Sequence, residues 1–217
     1  MDAEKVNTYE ACDKAIQVLN RENLRAFGRL KMAKWDEIKI IRTVSKVYAD
    51  SVKRAKQKFY EVAFEAYVLG LIMCDVDPKK AHEMAEDAIN MDFVEEVLEQ
   101  TDFVTLYRFN SETERKAAKL AETLEVATDR NAEIDRALKA WSQQLGQYCI
   151  NFTDYATIQA FEDAGVEMVQ WIAVRDKRLC RECYALDGQI FRIDEFPRKP
   201  HVNCRCRMRP IFRKEDD

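Results

Sequence analysis

Apolar side chains recur at three- and four-residue steps through most of the chain up to Gly165, and at two-residue steps beyond it. The longest regular run lies between residues 35 and 74. There Trp35, Ile38, Ile41, Val44, Tyr48, Val52, Ala55, Phe59, Val62, Ala66 and Leu69 fall on one helical face, with no Pro and a single Gly, Gly70, to interrupt them. Unbroken, such a helix extends about 60 Å and needs helical neighbours or a partner along its length. Residues 2–33 read as one or two amphipathic helices with a stripe of Ala11, Ala15, Val18, Leu19 and Leu24. Pro78 after Asp77 marks a helix start, because proline suits the first turn and aspartate caps it. Ser111 and Glu114 have the spacing of a capping box and predict another start. Further helices are expected over 129–149 and 153–164, the second ended by Gly165.

After Gly165 the period changes. "VEMVQWIAVRD" has the β-branched and aromatic content of a strand, and "LDGQIFRI" offers an Asp187-Gly188 turn before a second strand. In "CRCRMRPIF", Cys204, Cys206 and Met208 alternate with Arg205, Arg207 and Arg209, which predicts a third strand beginning at Cys204. The expected fold is α+β: a mostly α-helical body with long helices, then a small C-terminal module of short antiparallel strands. The body is assigned to 1–102. A second unit covers 103–217, with helices over 103–164 and the strand module over 165–212.

Charge divides along the same line. Residues 171–214 carry twelve Lys/Arg against five Asp/Glu, whereas residues 1–170 carry 23 against 31. A basic module on an acidic body fits contact with a polyanion such as DNA through Arg178, Arg181, Arg205, Arg207 and Arg209. It fits equally a small metal domain that uses arginine for solubility and to neutralise thiolates. No apolar stretch approaches the roughly 18–20 residues of a membrane span, so no membrane partner is expected. The charged first thirty residues do not resemble a signal peptide and predict a cytosolic chain, where clustered cysteines read as metal ligands or redox groups before disulfides.

The module concentrates such residues. Cys180-x2-Cys183 is followed by His201-x2-Cys204-x-Cys206, two chelating pairs at a spacing that matches structural zinc sites of the Cys3His kind. Zinc accepts both thiolate and imidazole. Five candidates compete for four places on one ion. Cys180 and Cys183 rank first, Cys206 or Cys204 next, and His201 ahead of the remaining cysteine. Asp176 and Asp187 orient a ligand or cap turns, and Gly188 completes the turn. Cys12, Cys74 and Cys149 read as core residues, and His82 as a surface or capping histidine.

The stretch "WIAVRDKRLCRECYALDGQIF", followed by "PHVNCRCRMRP", resembles the phage Mu F-like head-morphogenesis, or minor capsid, proteins of tailed phages. The shared frame is Trp171, Asp176, Cys180, Cys183, Leu186, Asp187, Gly188, His201, Cys204, Arg205 and Cys206, and "AFEDAGVEMVQW" resembles the run that precedes it. The likeness is specific over about 150–212 and fades toward 105. Two positions depart from the family pattern. Asn151-Phe152-Thr153-Asp154 stands where many relatives carry Arg-Thr-Glu, and Val202 stands where Pro often follows the His. The resemblance implies a virion or procapsid component assembled in the bacterial host cytoplasm. Its implied partners are the portal or the major capsid protein, and packaged DNA is a further candidate.

Nothing in the sequence calls for a small-molecule substrate or an enzyme. A catalytic zinc site keeps an open position and a carboxylate base, whereas five ligands crowd this one. A dithiol enzyme sets Cys-x2-Cys at a helix N-terminus, and "RLCRECYALDG" runs to a turn signal instead. The readings carried forward are a structural-zinc scaffold protein, a DNA-binding adaptor and a Cys-x2-Cys redox protein.

Overall fold

The computed structural model describes residues 6–33, 37–99, 108–177 and 179–212, with the side chains of residues 37 and 38 excepted. Trp35, the side chain of Ile38, Arg178 and the expected boundary at 102/103 lie outside the described residues. The elements run α1 (Glu10–Lys31), α2 (Glu37–Met73), α3 (Pro78–Ala88), α4 (Met91–Glu99), α5 (Phe109–Val126), α6 (Arg130–Asp163), β1 (Met168–Ile172), α7 (Arg181–Leu186), β2 (Ile190–Arg192) and β3 (Arg207–Ile211). A helical assembly followed by a small antiparallel sheet is the α+β order expected.

Helix α2 is the spine. Val44, Tyr48, Ala55, Phe59, Val62 and Ala66 are buried along it, as its periodicity requires. Its main neighbour is α6, and the two approach closely at Gly70, where an added Cβ would lie 2.8 Å from the Ala160 Cβ. An aromatic stack locks the pair: Phe59 lies on Phe152 at 4.7 Å, and Tyr48 meets Trp141 edge-on at 5.0 Å. A buried polar chain crosses three helices. The Trp141 indole donates to Ser51 at 2.8 Å, and the Ser51 hydroxyl donates to the Asn23 carbonyl at 2.6 Å. The apolar core they share runs from Tyr9 to Ala160.

Several expectations are corrected. Leu24 and Ile41 are exposed, at 61% and 54%. The face α1 buries is the one carrying Cys12, Leu19, Asn23 and Phe27, and one residue of rotation turns Leu24 outward. The Ser111–Glu114 capping box does not form. Helix α5 begins earlier, at Phe109, with Arg108 at the N-cap, its side chain making no capping bond. Phe109 is fully buried against Phe59 and Tyr148, and this packing draws the helix upstream of the polar signal. The two helices expected over 129–149 and 153–164 are one, α6. Its polar middle is satisfied within the helix: the Gln147 amide donates to Asn151 at 2.7 Å and the Thr153 hydroxyl to the Cys149 carbonyl at 2.9 Å.

The expected caps at Asp77 and Gly165 are present. The Asp77 carboxylate accepts from the Lys79 and Lys80 backbone N–H groups. Gly165 takes φ +74°, with Val166 N–H bonding Phe161 O and Gly165 N–H bonding Glu162 O, a Schellman ending. The chain then enters the sheet, whose order is β2-β1-β3 with both pairings antiparallel. β3 begins at Arg207, three residues later than expected. The alternating burial does start at Cys204, but residues 204–206 are held by the cysteine cluster instead of a strand ladder. Val169 and Met208 pack on Met73 and Phe161, so the sheet rests on the ends of α2 and α6. Among the described residues no helix is long and apolar enough to cross a membrane.

Candidate metal centre

Three segments converge under β1. Cys180 caps α7, its sulfur accepting from the Cys183 backbone N–H at 3.3 Å. The sequence placed a turn directly after this motif; the turn comes one short helix later, because Cys180 itself serves as the N-cap. The Asp187-Gly188 turn then reverses the chain. Asp187 accepts from Ala173 N–H and from Arg175, each at 2.8 Å, and Gly188, at φ +81°, donates its N–H to Trp171 O. Residues 201–204 return the second pair of ligands, with Asn203 at φ +57° between them.

All five expected ligand residues meet. Cys180, Cys183 and His201 form one group, and Cys183, Cys204 and Cys206 a second, every ligand atom within 4.8 Å of the others in its group. Cys183 belongs to both. Its sulfur lies 3.5 Å from that of Cys204 and 3.6 Å from His201 Nε2. Tetrahedral zinc, with bonds of about 2.3 Å to sulfur and 2.0 Å to nitrogen, sets its ligands about 3.5–3.8 Å apart. The donor types and these two separations match that spacing, so the groups that share Cys183 could hold such an ion. His201 Nδ1 donates to Val202 O at 3.0 Å, which leaves Nε2 as the free lone pair facing Cys183. The cysteines are free thiols, and Cys183, Cys204 and Cys206 are buried. The space among Cys183, His201, Cys204 and Cys206 is about 20 Å³, room for an ion, and a more open hollow of about 400 Å³ lies outside it against Cys180, Arg181, Glu182 and His201.

The protons in this cluster are unevenly held. Burial pushes the Cys183 thiol up to about 12. The hydrogen bond between Cys204 and Cys206 raises the former and lowers the latter to about 5, with the Val174 N–H also favouring the Cys206 thiolate. A metal ion would displace the remaining thiol protons, so its affinity would rise with pH.

The flanking charges sit otherwise than the sequence implied. Arg205 pairs with Asp176 at 2.6 Å and with Asp13 of α1 at 3.8 Å. Arg207 donates to Asn7 at 3.3 Å and Arg209 to Gln170. Arg181 is exposed on α7. Asp176 thus fixes an arginine between two ligands, and Asp187 pins the turn. Sequence reasoning missed the groups that seat the cluster on the body. Lys199 pairs with Asp154 of α6, and Asn203 N–H donates to Gln147 of α6 at 2.6 Å. The acid in "NFTD" was the available signal for the first; nothing local marked the second.

Residues 110–209 match the family model described as Phage Mu protein F like protein. Over that span, a little under half of the chain, the sequence is similar to the Mu F-like family. The match covers α6, β1, β2, the start of β3 and every one of the five ligand residues, and this likeness points to phage head morphogenesis. No curated protein and no solved structure matches the chain.

Proposed function

We propose that this protein is a minor capsid, or head-morphogenesis, component that attaches to the portal or inner capsid of a tailed phage. Attachment uses the long helices, and one structural zinc ion fixes the C-terminal module. The observation that carries this reading is the convergence of all five Cys/His ligands inside the segment that matches the Mu F-like family. Cys183, common to both groups, is the central ligand, and Cys180, His201 and either Cys204 or Cys206 complete a Cys3His set around it. The ion's part is structural: it clamps α7 to the 201–206 segment. The protein works by attachment without turnover, assembles in the host cytoplasm and stays in the procapsid or virion.

The DNA-adaptor reading is second. Arg205, Arg207 and Arg209 already have protein partners, which leaves Arg181 as the exposed member of the described set. The redox reading draws support from Cys180 at the N-cap of α7, but the same sulfur lies in the ligand cluster. Mass spectrometry of purified phage heads, with and without a Cys183→Ser substitution, tests the assignment. The expected result is a low-copy head component lost from heads built with the variant. Absence of the wild-type protein from heads, or metal-independent thiol–disulfide turnover by the pure protein, defeats it. Salt-titrated binding of the full chain to duplex DNA separates the second reading, since phosphate contacts weaken steeply with salt.

A further inference from the structure

Beside the cluster, on the side facing the helices, lies a buried ion pair. The Lys199 and Asp154 side chains are only 10% and 15% exposed, and Lys199 Nζ lies 3.2 Å from Asp154 Oδ2. The same ammonium donates to the Tyr9 hydroxyl at 2.7 Å and to the carbonyl of Cys206. Tyr9, 4% exposed, donates its own hydroxyl to Asp154. An ammonium has three N–H donors, and here each has one acceptor. The charge also lies over the rings of Tyr9, at 5.2 Å, and Trp171, at 5.9 Å. One side chain from the ligand segment thus joins the N-terminal end of α1, the middle of α6 and the backbone of a metal-ligand candidate.

A second tie acts on the same segment. Asn203 N–H donates to Gln147, seven residues and two helical turns from Asp154 on the same face of α6. Gly146 keeps that approach open, since a Cβ there would lie 3.3 Å from Asn203 Oδ1. The segment carrying His201, Cys204 and Cys206 is therefore tied to α6 at Lys199 and at Asn203, and to α1 through Lys199 on Tyr9 and more loosely through Arg205 on Asp13.

We propose that Tyr9, Asp154 and Lys199 form a latch that makes metal binding at the cysteine–histidine cluster and seating of α1 on α6 one coupled equilibrium. The proposal rests on the zinc reading above. Lys199 touches no ligand atom of the ion; it is a positioning residue. With the ion bound, α7 and the 201–206 segment are cross-linked and Lys199 is held where its three acceptors lie. With the ion removed, the segment is freed and the ammonium regains water as an alternative. Linkage makes the effect reciprocal: whatever opens the latch weakens the ion's binding by the same factor.

The test uses the full chain with zinc as the probe, competed against a chromophoric chelator, for wild type, Lys199→Met, Tyr9→Phe and the double variant Asp154→Asn/Lys199→Met. The double variant removes both charges, so no unpaired carboxylate is left to prevent folding. Lys199→Met and the double variant are expected to keep one ion per chain with about tenfold weaker affinity. Tyr9→Phe shifts affinity in the same direction by less. Hydrogen exchange supplies the second readout. Chelation speeds exchange at residues 10–14 in wild type, whereas in the double variant it is already fast and indifferent to zinc. Zinc-bound wild type with variants of unchanged affinity, or α1 amides unmoved by chelation, overturns the latch alone. A zinc-free, folded wild-type protein overturns the metal reading and the latch with it.

Discussion

The crossing of α2 and α6 sets the surface on which the metal module sits, and Gly70 sets the crossing. A Cβ at position 70 would stand 2.8 Å from the Ala160 Cβ and 3.6 Å from the Thr157 carbonyl oxygen. Carbon–carbon contact is most favourable at about 3.5–4.0 Å, so Gly70→Ala forces the helices apart by about 0.7 Å. Overpacking of this kind costs about 1–3 kcal/mol, offset by up to about 1 kcal/mol because alanine favours the helix. The informative quantity is the coupling with Ala160→Gly, which removes the opposing methyl. Urea melts of the wild type, the two single variants and the double variant close a cycle. The double variant is expected to recover about 1–3 kcal/mol relative to the sum of the single effects. In thermal melts each kcal/mol corresponds to about 2–4 °C for a chain of this size. A coupling below about 0.5 kcal/mol, the ordinary additivity error, refutes the close approach.

Ser51→Ala leaves the buried Trp141 N–H without an acceptor and is expected to cost about 1–3 kcal/mol in a urea melt. Asn203 at φ +57° tolerates Gly but not a β-branched residue, so Asn203→Val should destabilise by about 1–2 kcal/mol while Asn203→Gly stays near wild type in the same assay. The Ala173 N–H, and then Arg175, hold the Asp187 carboxyl below its ordinary value of 3.8, so between those two values the folded chain binds fewer protons there than the unfolded one. Its contribution is complete above pH 3.8 and is lost as pH falls through its folded value. Melts of wild type against Asp187→Asn should therefore differ at pH 6 and converge as the pH is taken progressively below 3.8.

The helical body was legible because its signals are local and redundant. A face carrying Val44, Tyr48, Ala55 and Phe59 at regular steps has one consistent reading, and Asp77-Pro78 and Gly165 punctuate it by backbone chemistry alone. The errors lie where tertiary packing outweighs a local cue. Phe109 is buried among aromatic side chains from α2 and α6, and that overrides the Ser111 cap. The gap expected between 149 and 153 is closed within α6, where the Asn151 side-chain carbonyl accepts from Gln147 one turn earlier. Leu24 and Ile41 sit one helical step off the buried face, a rotation that periodicity does not resolve. The ligand residues were readable from spacing because chelation imposes spacing. Their attachment to the body was not. Tyr9, Asp154 and Lys199 are separated by 145 and 45 positions, and no local pattern reports a contact across such distances. The arginines misled for a related reason: a count of charges along the chain does not say that Arg205 faces Asp176 and Asp13.

The central claim is that one metal ion closes the cysteine–histidine cluster, and metal content per folded chain measures it directly. Elemental analysis of the full-length protein purified without added metal or chelator should give one zinc per chain for wild type. The Cys183→Ser variant, which removes the ligand common to both groups, should give none, with loss of the module's fold. A wild-type protein that is fully folded without metal, or a Cys183→Ser variant that keeps its ion, contradicts the account.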